Sequence, residues 1–530
     1  MQYSKHLKTP LNATQGDFLP GQVPNNCGAA VYTVDMWSSL RKFLVLGVEG
    51  GTYYATQSKL LKENATTLSA CIKVDGERVV KDILHVNVGN LALKVDQTIF
   101  ALALVCLEGD EKAKAAAYRA IPEICRTGTH LFQFCAELKG LKRGWSRGLR
   151  TAVSRYYLEN KNLELHLVKY RQRSGWVHKD VMRLAHPNPN GLPEARQDLL
   201  RYAVGKGKAE SSPLIQAFEE IQGNADLKVS RLVSLIKEFR LPHEAIPDQF
   251  RKSPEVWDAL LDDMGPTALL RNLNTFAVCG LTKSNLDAGT RRVVERLQKF
   301  DSAYLKAARV HPIRALIAAR MYARGRGEKG NLTWTPVTAI NDELDQIFYA
   351  SFAAVEPTRR NTLLALDVSG SMSGDAMGGI LRHCEITAAF AMVQARVEPY
   401  SEIVGFANQI VRLGVSPNDT LRSATAKVLM NNFGSTDCSA AMRWAIEQKI
   451  PVDTFVVYTD CETNSHGSAQ AAVALRQYRQ RVGVDARMAV VSTTPQSFTI
   501  ADPNDPGMLD ISGFSADVPT VISEFALRNF

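Results

Sequence analysis

The sequence predicts a two-part protein: an all-α body of stacked helical pairs, then an α/β domain built on a parallel sheet. Three observations predict it. A chain of 530 residues and 58.4 kDa exceeds what one hydrophobic core usually organises. From Val31 to about Tyr349 apolar residues follow helical spacing, and strand-like alternation is rare. After Glu356-Pro357 the texture changes, and the apolar runs TLLALD, EIVGFAN, DTFVVYTD and ARMAVVS alternate with helical stretches. Strand and helix in alternation make a parallel sheet with helices on both faces. The expected division is residues 1–357 for the helical body and 358–530 for the α/β domain.

Taken in order, Trp37, Leu40 and Leu44 fall at i, i+3 and i+7, and Leu232, Leu235, Ile236 and Phe239 form a similar stripe. Ser253-Pro254-Glu255 places a cap, a first-turn proline and an early acid ahead of VWDALLDDM. Short turns join these helices and no fixed-period repeat stands out, so stacked pairs are inferred from the run of helices itself. In the second part, Ile380 to Val397, Ala440 to Gln448 and Ala469 to Arg481 read as the helices between strands.

Composition excludes whole classes. With 45% hydrophobic and 22% charged residues the chain is neither disordered nor fibrous. The N-terminus MQYSKHLKTPLNATQG has no apolar targeting core, and the longest apolar run, Ile99 to Leu107, is too short to span a bilayer. Nine cysteines without a Cys-x-x-Cys pair fit reduced thiols rather than a disulfide frame or zinc site. A soluble, cytoplasmic protein is expected. The net charge of +9 is unevenly spread. From Asn361 onward there are 12 basic and 17 acidic residues, a net of −5, which leaves +14 on the first 360. A basic body points to a polyanion, and an acidic second part points to cation binding.

The stretch LDVSGSM, Leu366 to Met372, follows the apolar start of a strand and carries Asp367, Ser369 and Ser371 on alternate residues. Alternate side chains of an extended chain share a side, so three oxygens converge, as a hard divalent cation requires. A phosphate loop would need a glycine-rich stretch ending in Gly-Lys-Ser/Thr, which is missing. The alternative is a turn or helix cap. Ligand sites in parallel sheets lie beyond the carboxyl ends of the strands, where two further segments bring oxygens: Thr436 before a helix and Asp460 at the end of DTFVVYTD. Asp367, Ser369, Ser371, Thr436 and Asp460 thus form one candidate metal set. This pattern, DxSxS then Thr then Asp, resembles the metal-ion-dependent adhesion site of von Willebrand factor A domains. The resemblance implies Mg²⁺ or a similar ion with an open position for an acidic group of a partner. A purely stabilising ion is the alternative. An enzyme reading finds no nucleophile, base and orienter near His383 or His466, and Ser369 stands where an aspartate phosphotransferase would need a second Asp. No catalysis is expected.

The densest basic stretches are Lys139 to Tyr157 and Lys169 to Pro187. Read as helices, they place Lys179, Arg183 and His186 opposite the apolar Val177, Val181 and Leu184, pair Lys169 with Arg173, and stack Arg143, Arg147 and Arg150. Cations at one-turn intervals suit phosphates, and Trp145, Tyr170 and Trp176 either stack on unpaired bases or fill the core. A solvated charged face is the alternative.

The segments RKFLVLGVEGGTYYA, GWSRGLRTAVSRYY, KYRQRSGWVHKDVMRLAHP, VWDALLDDMGPTALLRNLNTF and ARVHPIRALIAARMYARG, joined to a von Willebrand A module, resemble the Ro autoantigen family, whose helical part is the TROVE domain. The resemblance runs from about Val31 to the end. It implies HEAT-like helical pairs closed into a ring through the A domain, small noncoding Y RNAs on the basic outer face, and single-stranded ends of misfolded RNAs in the hole. It implies a monomer, and bacterial members suggest a 3′-to-5′ exoribonuclease as an associate. Carried over by motif, Lys169, Arg173 and His186 fall where the family contacts RNA; Arg143, Arg147, Arg150, Lys179 and Arg183 follow from charge geometry alone. The rival reading is a metal-dependent protein-interaction scaffold whose helical body is merely basic.

Overall fold

The computed structural model describes residues 11–48, 56–327, 331–352, 355–376, 381–430 and 434–528. The end of the RKFLVLGVEGGTYYA segment, Ile380 and Asn431 to Phe433 lie outside them. Among the described residues from Met36 to Ala350 helices predominate, with one short β-hairpin at 172–177. Asp35 caps the first, Met36–Leu46, by accepting from the amides of Trp37 and Ser38, and Leu40 and Leu44 of the expected stripe are buried. The next helix, Gln57–Val88, is long and breaks its helical path at Asp75, whose φ is −156° and ψ 87°. Pro254 and Pro266 stand in the first turns of Pro254–Leu261 and Pro266–Val278, where a missing amide costs nothing. Arg314, on the late helix Pro312–Arg324, donates from Nη2 to the carbonyl of Leu93 at 2.7 Å. This late helix thereby meets the connection that follows Gln57–Val88.

The second part is a six-stranded sheet in the order Met508–Ser512, Arg487–Ser492, Thr454–Thr459, Thr362–Asp367, Ser401–Phe406 and Ile410–Val411, parallel except for the last, short edge strand. Alternate residues of the central strand enter different cores. Leu364 and Leu366 join the core that continues through the helical body, and Leu363 and Ala365 face a second core with Phe455, Val457 and Val490. The helix expected to begin at Ile380 starts at His383, and Leu381–Arg382 pairs as a short strand with Asp375–Ala376.

The beginning of the chain departs from the helical expectation. Gln22–Pro24 pairs antiparallel with Ala30–Thr33, which pairs with Phe498–Thr499. Val31 and Tyr32, read as the start of the helical body, are strand residues packed into the second core of the sheet. Asn25 shapes the turn by accepting the amides of Cys27 and Ala29, and Gly28 takes the left-handed φ of 82°. Periodicity does not reveal this because the strands are three and four residues long and the second pairs with a partner more than 460 positions away. Lys42 then fixes the first helix to the sheet edge. Its buried ammonium lies 2.8 Å from Asp510 and donates to Ser492 Oγ and the Phe498 carbonyl, which satisfies a charge that burial alone would penalise.

All nine cysteines are free thiols, eight within or against the apolar cores or buried beside them. Among the described residues, no helix is long and apolar enough to cross a membrane. Burial pushes the imidazole of His311 down to about 3 and that of His178 to about 4. The unfolded chain takes up these protons first, near its ordinary pKa of about 6.5. Stability is therefore fully present above about pH 6.5 and falls as pH drops toward 4, by about 1.4 kcal/mol per pH unit for each such histidine. Denaturant midpoints at pH 7.5 and 5 check this, and His311→Gln, which cannot titrate, should flatten the dependence.

Candidate functional site

The candidate metal set gathers at the carboxyl end of the sheet, as the strand pattern requires. Asp367 ends the central strand, Asp460 follows Thr454–Thr459, and Ser369 and Ser371 lie in the turn after Asp367. All five residues are buried, Asp460 being the most accessible at 4%. Asp367 Oδ1 accepts the amide of Ser369 at 2.9 Å and its Oδ2 accepts the Thr459 hydroxyl at 2.6 Å. The hydroxyls of Ser369 and Ser371 are 3.2 Å apart, and Ser371 in turn hydrogen-bonds the carboxylate of Asp460. Burial raises the pKa of both carboxyls, and the charge of Asp460 adds to the shift of Asp367. Thr436 Oγ1 is buried without a hydrogen-bond partner. Two carboxylates that resist ionisation, two adjoining hydroxyls and an orphaned third fit the donor set of a hard cation, which would relieve each of these costs. Among the described residues no three His, Cys, Asp or Glu side chains are grouped for a metal, so hydroxyls are indispensable to any cation here.

Asp437, beside Thr436, is fully buried but already neutralised: Arg443 pairs with it, and the amide and hydroxyl of Ser439 donate to its Oδ1. The loops on either side are tied by side chains that periodicity does not single out. Asn464 accepts the Thr436 amide at 2.6 Å, and Gln15 and Asn26 reach in from the amino-terminal segment.

The basic stretches fold differently from the continuous helices expected. The helix Leu163–Lys169 ends before Arg173, which stands on a hairpin of Gln172–Arg173 and Trp176–Val177. Ser174 and Gly175 both take positive φ, 52° and 77°, as a two-residue turn of this hand demands. The Lys169–Arg173 pair is thus not a helical one. Lys169 lies 3.7 Å from Glu244 and near the face of Tyr170, so part of its charge is already matched. Arg173 is exposed at the hairpin tip. Lys179 and Arg183 are exposed on His178–Ala185, and His186 is exposed as its left-handed cap, so that expected basic face is present. Arg147 and Arg150 are exposed on Arg147–Glu159, but Arg143 precedes the helix and donates to the carbonyls of Cys106 and Gly144, which makes it a clamp on the end of a neighbouring helix. Trp145 and Trp176 are half-buried against the core.

A second group of cations went unnoticed in the sequence because its members are far apart in it. Arg126 sits beside Arg309, and Arg314 beside Arg271; in each pair burial and then the like charge lower a guanidinium below its ordinary range. Among the described residues none of the four is in an ion pair with a carboxylate within 4 Å. Lys94, Arg271 and Arg314 also line a cavity of about 430 Å³ whose other walls include Leu93, Leu270 and Ile317. Like charges gathered on one surface favour an outside anion.

Comparison with known proteins agrees with this architecture. The TROVE domain model matches residues 23–233 and 237–321, and the Ro60 vWA domain model matches 361–526. RNA-binding protein RO60 of Deinococcus radiodurans is 39% identical over 525 residues, covering 98% of both chains. The Caenorhabditis elegans protein of the same name is 32% identical, over 95% of this chain and 90% of its own. The crystal structure of the Deinococcus radiodurans RO (RSR) protein superposes with a TM-score of 0.70 at 38% identity, covering 94% of this chain and all of the other. With a TROVE domain, a Ro60 von Willebrand A domain and full-length relatives at these identities, the chain belongs to the Ro60 family.

Proposed function

We propose that this protein binds structured noncoding RNA, Y RNAs and misfolded RNAs with single-stranded ends among them, and acts in RNA quality control without catalysis of its own. The observation that carries the reading is the exposed row Arg173, Lys179, Arg183 and His186 on the helical half. The neighbouring cations Arg126 and Arg309, and Arg271 and Arg314, lend it support, as does the printed name of both relatives. Cations so spaced meet successive phosphates, and the affinity they supply falls with salt as counterions return. A 3′-to-5′ exoribonuclease is the associate such a role would serve. Free thiols fit the cytoplasm. The test is a salt titration with a structured RNA bearing a single-stranded 3′ tail and with its blunt counterpart, in magnesium and in EDTA. Tight, salt-steep binding that prefers the tail and survives EDTA supports the reading; weak binding without tail preference overturns it in favour of a protein scaffold.

The α/β domain favours a second, separable activity through the orphaned Thr436 hydroxyl and its neighbours. Asp367, Ser369, Ser371, Thr436 and Asp460 would hold Mg²⁺. The ion would supply a coordination position for a carboxylate of a protein partner. At a magnesium concentration about 100 times the dissociation constant, binding stabilises the fold by about 2.7 kcal/mol. Calorimetric melting should therefore rise by several degrees when magnesium replaces EDTA, and Asp367→Ala should erase that rise while leaving RNA affinity unchanged.

A further inference from the structure

The amino-terminal segment belongs physically to the metal centre. Gln15 is 1% exposed and lies between two of the three loops that carry the metal set. Its Nε2 donates to Asp437 Oδ1 at 3.1 Å, next to Thr436. Its Oε1 accepts from the Thr463 hydroxyl at 2.5 Å and the Ser465 amide at 2.9 Å, just beyond Asp460. One side-chain amide therefore spans both loops. Its backbone is held just as firmly: the Gln15 amide donates to the Ser468 carbonyl at 2.8 Å, and its carbonyl accepts from Ala30 at 2.8 Å. Further along, Asn25 donates to the Thr463 carbonyl at 2.7 Å, and the main-chain and side-chain amides of Asn26 both donate to Glu462.

We propose that Gln15 is a positioning residue of the metal centre, and that residues 14–26 are a strap fixing the distance between the Thr436 loop and the Asp460 loop. The inference rests on the metal reading given above. Each loop is an irregular segment beyond the carboxyl end of the sheet, and the two are tied through Asn464 and the shared Thr463 hydroxyl, which also faces the Thr436 carbonyl at 3.1 Å. An amide is suited to this place, because it donates to one loop and accepts from the other, which neither a carboxylate nor a hydrocarbon side chain of that length can do. Residues that orient ligands without touching the ion typically change affinity by 10- to 100-fold when replaced.

The experiment is calorimetric titration of the full chain with MgCl₂, and of Mn²⁺ followed by electron paramagnetic resonance, alongside melting in EDTA. Gln15→Met keeps the buried bulk and removes both hydrogen-bonding functions. It is expected to weaken metal binding about tenfold or more and to alter the Mn²⁺ line shape. Gln477→Ala is the control. It removes a contact to the Leu11 carbonyl, 2.5 Å away, ahead of the strap and outside both loops, and should leave affinity unchanged even if it lowers melting. Wild-type affinity in Gln15→Met, with binding abolished by Asp367→Ala, overturns the strap and leaves the metal reading standing. Equal weakening by Gln477→Ala also overturns it, since the effect would then be one of general looseness. Failure of the unaltered protein to take up either ion overturns the metal reading and this inference with it.

Discussion

Replacing Arg173, Lys179 and Arg183 together by alanine is expected to weaken RNA binding about ten- to hundredfold at low salt. It should also shallow the slope of log affinity against log salt by about 2 to 3. The three side chains are solvent-exposed, and they stand on a hairpin tip and an adjoining helix, so each would meet a different phosphate. Their removal leaves no cavity and no buried group unpaired, and stability should change by no more than about 0.5 kcal/mol for each. Lys169→Ala alone should do less, because Glu244 already matches part of its charge. Electrophoretic shift at several salt concentrations, with melting as the control, decides the matter. An unchanged slope in the folded triple variant would move the RNA away from this face, first of all to Arg126 and Arg309.

The largest effect on stability is expected from Phe390→Ala. Phe390 lies on the buried helix His383–Val397, is 1% exposed, and meets Phe352 and Phe514 edge-on at centroid distances of 5.2 and 4.9 Å, with Phe348 at 6.3 Å. Phe348 and Phe352 come from the last turns of the helical body and just beyond them, and Phe514 from the loop after the edge strand. One ring therefore joins the two halves of the molecule. Truncation removes its buried area and leaves a cavity that the three surrounding phenylalanine rings cannot close, at a cost of about 3 to 5 kcal/mol. Melting should fall by about 10 °C. Phe390→Leu keeps most of the volume and should cost about 1.5 kcal/mol. A loss below 1 kcal/mol for the alanine variant would mean that the seam between the halves relaxes freely.

The convergence of the candidate metal set was legible because it depends on local rules. Alternation along an extended chain puts Asp367, Ser369 and Ser371 on one side, and the topology of parallel sheets brings Thr436 and Asp460 to the same edge. The Lys179–Arg183–His186 face was legible for a similar reason, since it lies within one helix and its cap. Arg143 was misread where a loop interrupts the helical spacing, and Lys169 with Arg173 where a Ser-Gly turn does so; that turn was the signal available in the sequence. Arg126, Arg271, Arg309 and Arg314 carry no signal of their own, because nothing in their spacing says that distant helices close on one another.

By itself the sequence determined the change from a helical to an α/β texture, most of the helices and strands, the candidate oxygen ligands at the strand ends and the sign of charge on each half. These follow from side-chain periodicity and composition, which act over a few residues. Tertiary structure alone decided that Gln15 and Asn26 reach the loops of the candidate metal set, that Lys42 fastens the first helix to Asp510, and that like-charged arginines stand close together. Each of these pairs residues far apart in the chain, and their meeting is set by the packing of whole elements into shared cores rather than by any local preference of the residues themselves.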